Sequence, residues 1–299
     1  MADHWTTHVV RHGGFETAYI VGGQQAGEVG QTGQTGETGV PIVPIHGSGP
    51  GVSAAANWRL LLESPLARER RIIAPDVVGF GGSRRPRSPS GPLDHETRVG
   101  QLLDFFDVLG LDQVDLIGNS MGGGLALALA LRAPGRVRGM VLMGSVGVPF
   151  TLTPGLAKVW GYRPSLEAMR ELMTLFAYDT RLVSDDLVRL RFETSTEPRT
   201  REMYERAFTE PLQQHIEAMA LTDPELAGIQ APALLIHGAE DRVVPLETSL
   251  HLVRALPHAD LVVFGRCGHW TQIERAADFA QQVGRFLEQL DDRQRTAAR

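Results

Sequence analysis

Cysteine is almost missing from this chain: Cys267 is the only one in 299 residues. No intramolecular disulfide can form, which fits a reducing, cytoplasmic setting. Long apolar runs are missing too. None approaches the roughly 20 residues needed to span a bilayer, and the N-terminal MADHWTTHVVRHGG has no apolar core of signal-peptide length. An intracellular protein with no membrane partner is the expectation. Excess basic charge is also lacking: 29 Lys and Arg face 35 Asp and Glu, for a net charge of −6, and the cations are scattered. Phosphate backbones are bound by clustered Lys and Arg that displace counterions, so no nucleic-acid partner is expected. The Gly/Gln/Thr stretch 22–39 is followed by no Lys and opens no helix as G-x-G-x-x-G. It offers no phosphate cradle, has almost nothing to bury, and reads as a mobile surface loop.

What is present is an ordinary globular composition, 42% hydrophobic with 33 Gly, in a chain long enough for one large domain or one carrying a smaller insertion. Residues 5–22 alternate as a hairpin around His12-Gly13-Gly14. Buried-strand candidates follow at 40–45, 71–75, the stretch from Val114, 139–143, 231–237 and 261–264. Helical patterns lie between them at 54–63, 95–109, 125–131 and 246–256, with a last one at 273–289. Pro44 has no N–H to donate, so the strand at 40–45 should be irregular there. Strands alternating with helices predict an α/β fold with a mostly parallel sheet and helices on both faces. The alternation stops between 148 and 224, where SLEAMRELMTLF, SDDLVRLRFETS and TREMYERAF are helical and amphipathic. The predicted organisation is a core over 1–147 and 225–290, a helical cap over 148–224, and a charged, frayed tail at 291–299.

Chemistry concentrates at VDLIGNSMGGG, 114–124. G-x-S-x-G between a strand and a helix forces a tight reversal, so small residues are needed two positions either side of Ser120. Its hydroxyl is thereby raised as a nucleophile on a helix N-terminus; the simpler alternative is a Gly-rich turn with a capping Ser. A Ser nucleophile needs a base and an acid to orient that base. Loops at strand carboxyl ends supply them as Asp241, in AEDRVVP, and His269, in GRCGHW, in the order Ser, acid, His of the α/β-hydrolases. Asp241 is favoured over Glu240 because the shorter carboxylate suits an imidazole-orienting role. His237 is expected behind the acid loop rather than as the base. For the oxyanion, Met121 N–H is one donor and the loop His46-Gly47-Ser48-Gly49 places the second, at Ser48 N–H.

These motifs resemble the meta-cleavage product hydrolases, α/β-hydrolases that cut carbon–carbon bonds in ring-fission products of aromatic catabolism. The resemblance runs through HGSGPGVSAAANWR, RIIAPDVVGFGGSRRP, LIGNSMGG, IHGAEDRVVP and FGRCGHWTQ, in order along the whole core. It implies an α/β-hydrolase fold with a helical cap, a small-molecule substrate carrying a carboxylate, neither metal nor cofactor, and a homodimer or larger assembly. The implied reaction is hydrolysis of a 2-hydroxy-6-oxohexa-2,4-dienoate at C5–C6, giving 2-hydroxypenta-2,4-dienoate and a carboxylic acid. By the same resemblance Arg191 holds the substrate carboxylate; the main competitor is Arg189, two residues away on a different face of the helix. Asn57, Asn119 and Trp270 line the polar end, with Gly47 and Gly49 against the substrate. Departures are Ala55, where members commonly carry a large aromatic residue, so that the pocket is either widened or compensated by another side chain, the 22–39 insertion, and Pro44. A carboxylesterase with the same triad, and a catalytically silent binding protein on the same scaffold, are the alternatives.

Overall fold

The computed structural model describes residues 5–23, 39–86 and 91–297. Most of the Gly/Gln/Thr stretch, 24–38, lies outside the described residues. Strands β1 (Trp5–His12) and β2 (Phe15–Gly23) form the expected hairpin. Gly13 and Gly14 both take positive φ at its turn, a geometry open to glycine at little cost. The chain then runs through β3 (Ile42–Ile45), α1 (Ala54–Leu62), α2 (Leu66–Glu69), β4 (Arg71–Pro75), α3 (His95–Val108), β5 (Val114–Asn119), α4 (Met121–Arg132) and β6 (Val137–Met143). Six α-helices follow, with a short 3-10 turn at Thr180–Leu182 between the second and third: α5 (Pro154–Trp160), α6 (Leu166–Phe176), α7 (Asp185–Thr196), α8 (Pro198–Ala207), α9 (Gln213–Met219) and α10 (Asp223–Gly228). The alternation resumes with β7 (Ala233–Gly238), α11 (Leu246–Ala255) and β8 (Ala259–Phe264), and closes with α12 (Thr271–Glu274) and α13 (Ala276–Ala297).

The eight strands form one sheet in the order β1-β2-β4-β3-β5-β6-β7-β8. From β4 to β8 every pairing is parallel; the two antiparallel pairings, β1 with β2 and β2 with β4, leave β2 alone running against the other strands. Pro44 has the local effect its missing donor predicts. Strand β3 pairs with β5 at four positions but with β4 only at Ile42. Helix α4 shows tertiary context deciding between two periods: LALALAL alternates like a strand, yet Met121–Ala130 are all buried, so the alternation has no solvent face to mark.

Several boundaries differ from expectation, among them β3 beginning at Ile42, β7 at Ala233 and β8 at Ala259, and the helix expected at 273–289 is divided into α12 and α13. Strand β6 begins at Val137. The C-terminal segment is also not frayed after 290, because α13 continues to Ala297. Asp291, in the supposed tail, ion-pairs with both Arg70 and Arg138 at 2.6 Å, and that charge pairing holds the last turns against the sheet.

Candidate active site

Ser120 sits between β5 and α4 with φ 54° and ψ −114°, a left-handed conformation that a side chain adopts only at a cost of about 1–3 kcal/mol. The turn leaves no room beside it. A Cβ on Gly122 would lie 2.2 Å from Ile45 O, and one on Gly118 would lie 2.5 Å from Gly122 O. Ser120 N–H donates to Met143 O at 2.9 Å, tying the elbow to β6. Its side chain makes no capping bond, which disposes of the capping-Ser alternative.

His269 lies beyond β8 and Asp241 beyond β7, both buried. Asp241 Oδ2 accepts from His269 Nδ1 at 2.7 Å, while Oδ1 accepts from the N–H groups of Val243 and Val244 at 2.8 and 3.0 Å. Burial pushes the Asp241 carboxyl up, but the nearby His269, then His237 and the Val243 N–H, outweigh it and hold the group below its ordinary range. An ionised, fixed carboxylate keeps the Nδ1 proton of His269 and leaves Nε2 free as a base. Gly144, at φ 48°, permits this pair: a Cβ there would be 3.0 Å from His269 Nδ1 and 3.1 Å from Asp241 Oδ2.

The His269 loop is held from the helical insertion. His269 N–H donates to Phe176 O at 2.8 Å, and the Phe176 ring stacks on both His269 and Trp270. Glu274 completes the clamp, accepting from Gly268 N–H with one oxygen and from Tyr178 and Asp179 N–H with the other.

Ser120 and His269 open onto one cavity. One part of its wall comes from Gly47, Ser48, Gly49, Asn57, Asn119, Arg191 and Trp270; Leu156, Val159, Met169, Met173 and Val243 make an apolar part. Arg191, on α7, donates to Gly51 O at 3.1 Å, and burial pushes its guanidinium down to about 10. No carboxylate pairs with it among the described residues. Asn57 is buried and its Nδ2 has no hydrogen-bond partner. A half-buried cation and a buried, orphaned donor in one cavity suit an anionic ligand, since buried polar groups otherwise find partners.

Residues 40–276 match the family model for the alpha/beta hydrolase fold. The chain is 49% identical to 2-hydroxymuconate semialdehyde hydrolase of Pseudomonas sp., over 83% of this chain and 86% of that one. It is 50% identical to 2-hydroxy-6-oxo-2,4-heptadienoate hydrolase of Pseudomonas putida, over 81% and 87%. Among solved structures it resembles a meta-cleavage product hydrolase of Pseudomonas fluorescens at 43% identity and TM-score 0.87, covering 94% and 97%. This chain belongs to the meta-cleavage product hydrolases of the alpha/beta hydrolase fold.

Within this hydrolase the competing residues fall away from the cavity. Glu240 turns aside to accept from Cys267 N–H at 2.9 Å. His237 is buried behind the acid loop, its Nδ1 2.7 Å from Ser249 Oγ and its Nε2 3.1 Å from Val244 O and 3.4 Å from Asp241. Arg189 is exposed. Ala55 is not among the cavity-lining residues; it packs at the edge of the cluster around Trp58 and Phe279. The apolar wall from α5 and α6 escaped sequence reasoning. Its signal was the Met- and Leu-rich face of SLEAMRELMTLF, which by itself reads as ordinary core.

Proposed function

We propose that this hydrolase cleaves the C5–C6 bond of a 2-hydroxy-6-oxohexa-2,4-dienoate, and the observation that carries this reading is the carboxylate-free guanidinium of Arg191 in the cavity that also holds Ser120 and the Asp241–His269 pair. Arg191 and Asn57 bind the substrate carboxylate and set the chain of the dienoate across the cavity. Moving the 2-hydroxyl proton to C5 gives a 2,6-dioxo tautomer, whose C5 can leave with an electron pair delocalised onto the C2 oxygen. Ser120 Oγ then attacks C6 as His269 Nε2 takes its proton. The oxyanion that forms is stabilised by the N–H groups of Ser48 and Met121 and by the N-terminus of α4. Its collapse breaks C5–C6, releases the 2-hydroxypentadienoate, which picks up the proton, and leaves the acyl group on Ser120. Water, deprotonated by His269, hydrolyses that ester to the carboxylic acid.

Helices over 148–224 act in this reading as a cap that supplies the apolar wall and excludes water. The same reading takes the enzyme to be a cytoplasmic homo-oligomer. Edge strand β8, with Val263 41% exposed, is one unpaired edge that supports assembly; equilibrium sedimentation checks it. The central test mixes the enzyme with a ring-fission product and follows the fading of its yellow dienolate absorbance. Ser120→Ala should lose at least about 10³-fold in turnover. Full turnover in that variant, or aryl acetates cleaved far better than dienoates, would overturn the assignment.

A further inference from the structure

The peptide joining Gly47 to Ser48 is held from both ends by groups that meet at one buried cation. On the Gly47 side, His46 Nε2 accepts from Val77 N–H at 2.9 Å, so its proton is on Nδ1, which donates to Gly47 O at 2.7 Å. The His46 ring in turn packs edge-on against Phe80, centroids 5.4 Å apart. On the Ser48 side, Trp160 Nε1 donates to Ser48 Oγ at 2.9 Å, and the indole stacks on Phe208 at 5.1 Å with planes 9° apart. Arg98 lies between these two supports. Its guanidinium carbon is 5.5 Å from the Phe80 centroid and 5.6 Å from that of Phe208. Arg98 is 3% exposed, and its Nε and Nη2 have no hydrogen-bond partner. The faces of the two rings are thus what attracts this desolvated cation.

His46, Phe80 and Arg98 belong to the core, whereas Trp160 and Phe208 belong to the helical insertion. We propose that Trp160 and Arg98 are positioning residues for the oxyanion donor: Trp160 fixes Ser48 directly, and Arg98 clasps the core and insertion supports together, so the Ser48 N–H is aimed only while the insertion is seated. This rests on the assignment of Ser48 N–H as an oxyanion donor. Its chemical content is that seating the insertion, besides excluding water, sets one peptide plane. Burial of the Trp160–Ser48 hydrogen bond and the near-parallel stack on Phe208 leave that plane little freedom.

Trp160→Phe keeps the stack and removes the N–H, and should fold. The expected result is a kcat lower on the order of tenfold, the scale of one lost hydrogen bond, with KM within about twofold. Ser48→Ala should fall by a similar factor, and the double variant no further, because both remove the same bond. Arg98→Met should lower kcat likewise and Arg98→Lys should restore part of it, with thermal unfolding recorded alongside to separate loss of fold from loss of aim. Ser48→Pro, which deletes the N–H itself, tests the underlying assignment. Should it abolish turnover in a folded protein while Trp160→Phe retains wild-type kcat, or should the Trp160 and Ser48 effects multiply, the relay is wrong and the donor assignment survives. Should folded Ser48→Pro retain turnover, the donor lies elsewhere and the proposal falls with it.

Discussion

At the scale of single residues, strain and desolvation are spent where the chemistry is. Ser120 is one of two non-glycine residues with positive φ among those described, and burial weakens the proton affinity of Arg191 more than any pairing restores it. Arg191→Gln should therefore raise KM for a dienoate by roughly 10- to 100-fold, the loss of one charge-assisted contact or a pair of them, and leave cleavage of a neutral aryl acetate nearly unchanged; parallel steady-state kinetics on both substrates check this. A second expectation concerns acid. His95 is buried with Nδ1 unpartnered, and desolvation lowers its pKa from 6.5 to about 4. The unfolded chain takes up that proton near pH 6.5 and the folded one only near 4, so its stabilising contribution is complete above 6.5 and disappears as pH falls toward 4. Asp241 adds to acid lability lower down: its depressed folded value means stability held above the ordinary 3.8 and lost below it. Urea midpoints at pH 7 and pH 4 should show wild type losing up to about 3 kcal/mol more than His95→Leu over that interval.

At the scale of elements, periodicity located most of the strands and helices because their faces are read from neighbours a few residues apart. It failed at the C-terminus for a physical reason. Residues 291–297 are charged and resemble a solvated tail, but Asp291 finds cations 153 and 221 positions away in sequence. The inner partner of that network is Asp115, on β5, whose Oδ1 accepts from Arg138 Nε at 2.9 Å. The Arg138 and Asp115 side chains are only 8% and 2% exposed. Breaking a buried pair strands a charge, so Asp115→Ala should cost about 3–5 kcal/mol in chemical denaturation. Truncation after Leu290 should cost less, since Arg138 retains Asp115, and should appear as a lower unfolding midpoint with little change in kcat at 25 °C.

At the scale of the whole molecule, sheet and insertion meet through a few polar clasps around the site, of which Glu274 is the most connected, its carboxylate bridging the His269 loop to Tyr178 and Asp179. Glu274→Ala should loosen both partners together. We expect kcat to fall about tenfold and limited proteolysis within 148–224 to accelerate, both measured at a temperature where the far-ultraviolet spectrum is unchanged. What the amino-acid order determined by itself is what local rules encode: alternating strand and helix, an elbow that only small residues permit, and Ser, Asp and His at strand ends in the order Ser120, Asp241, His269. Only the tertiary structure decided which polar groups share a space. It turned Glu240 toward Cys267, set His237 behind the acid and brought Arg191 to the cavity. It also gathered residues 46, 80, 98, 160 and 208 around one peptide. Those contacts span scores of residues and join separate elements, and no short-range pattern of side chains carries the distance between them.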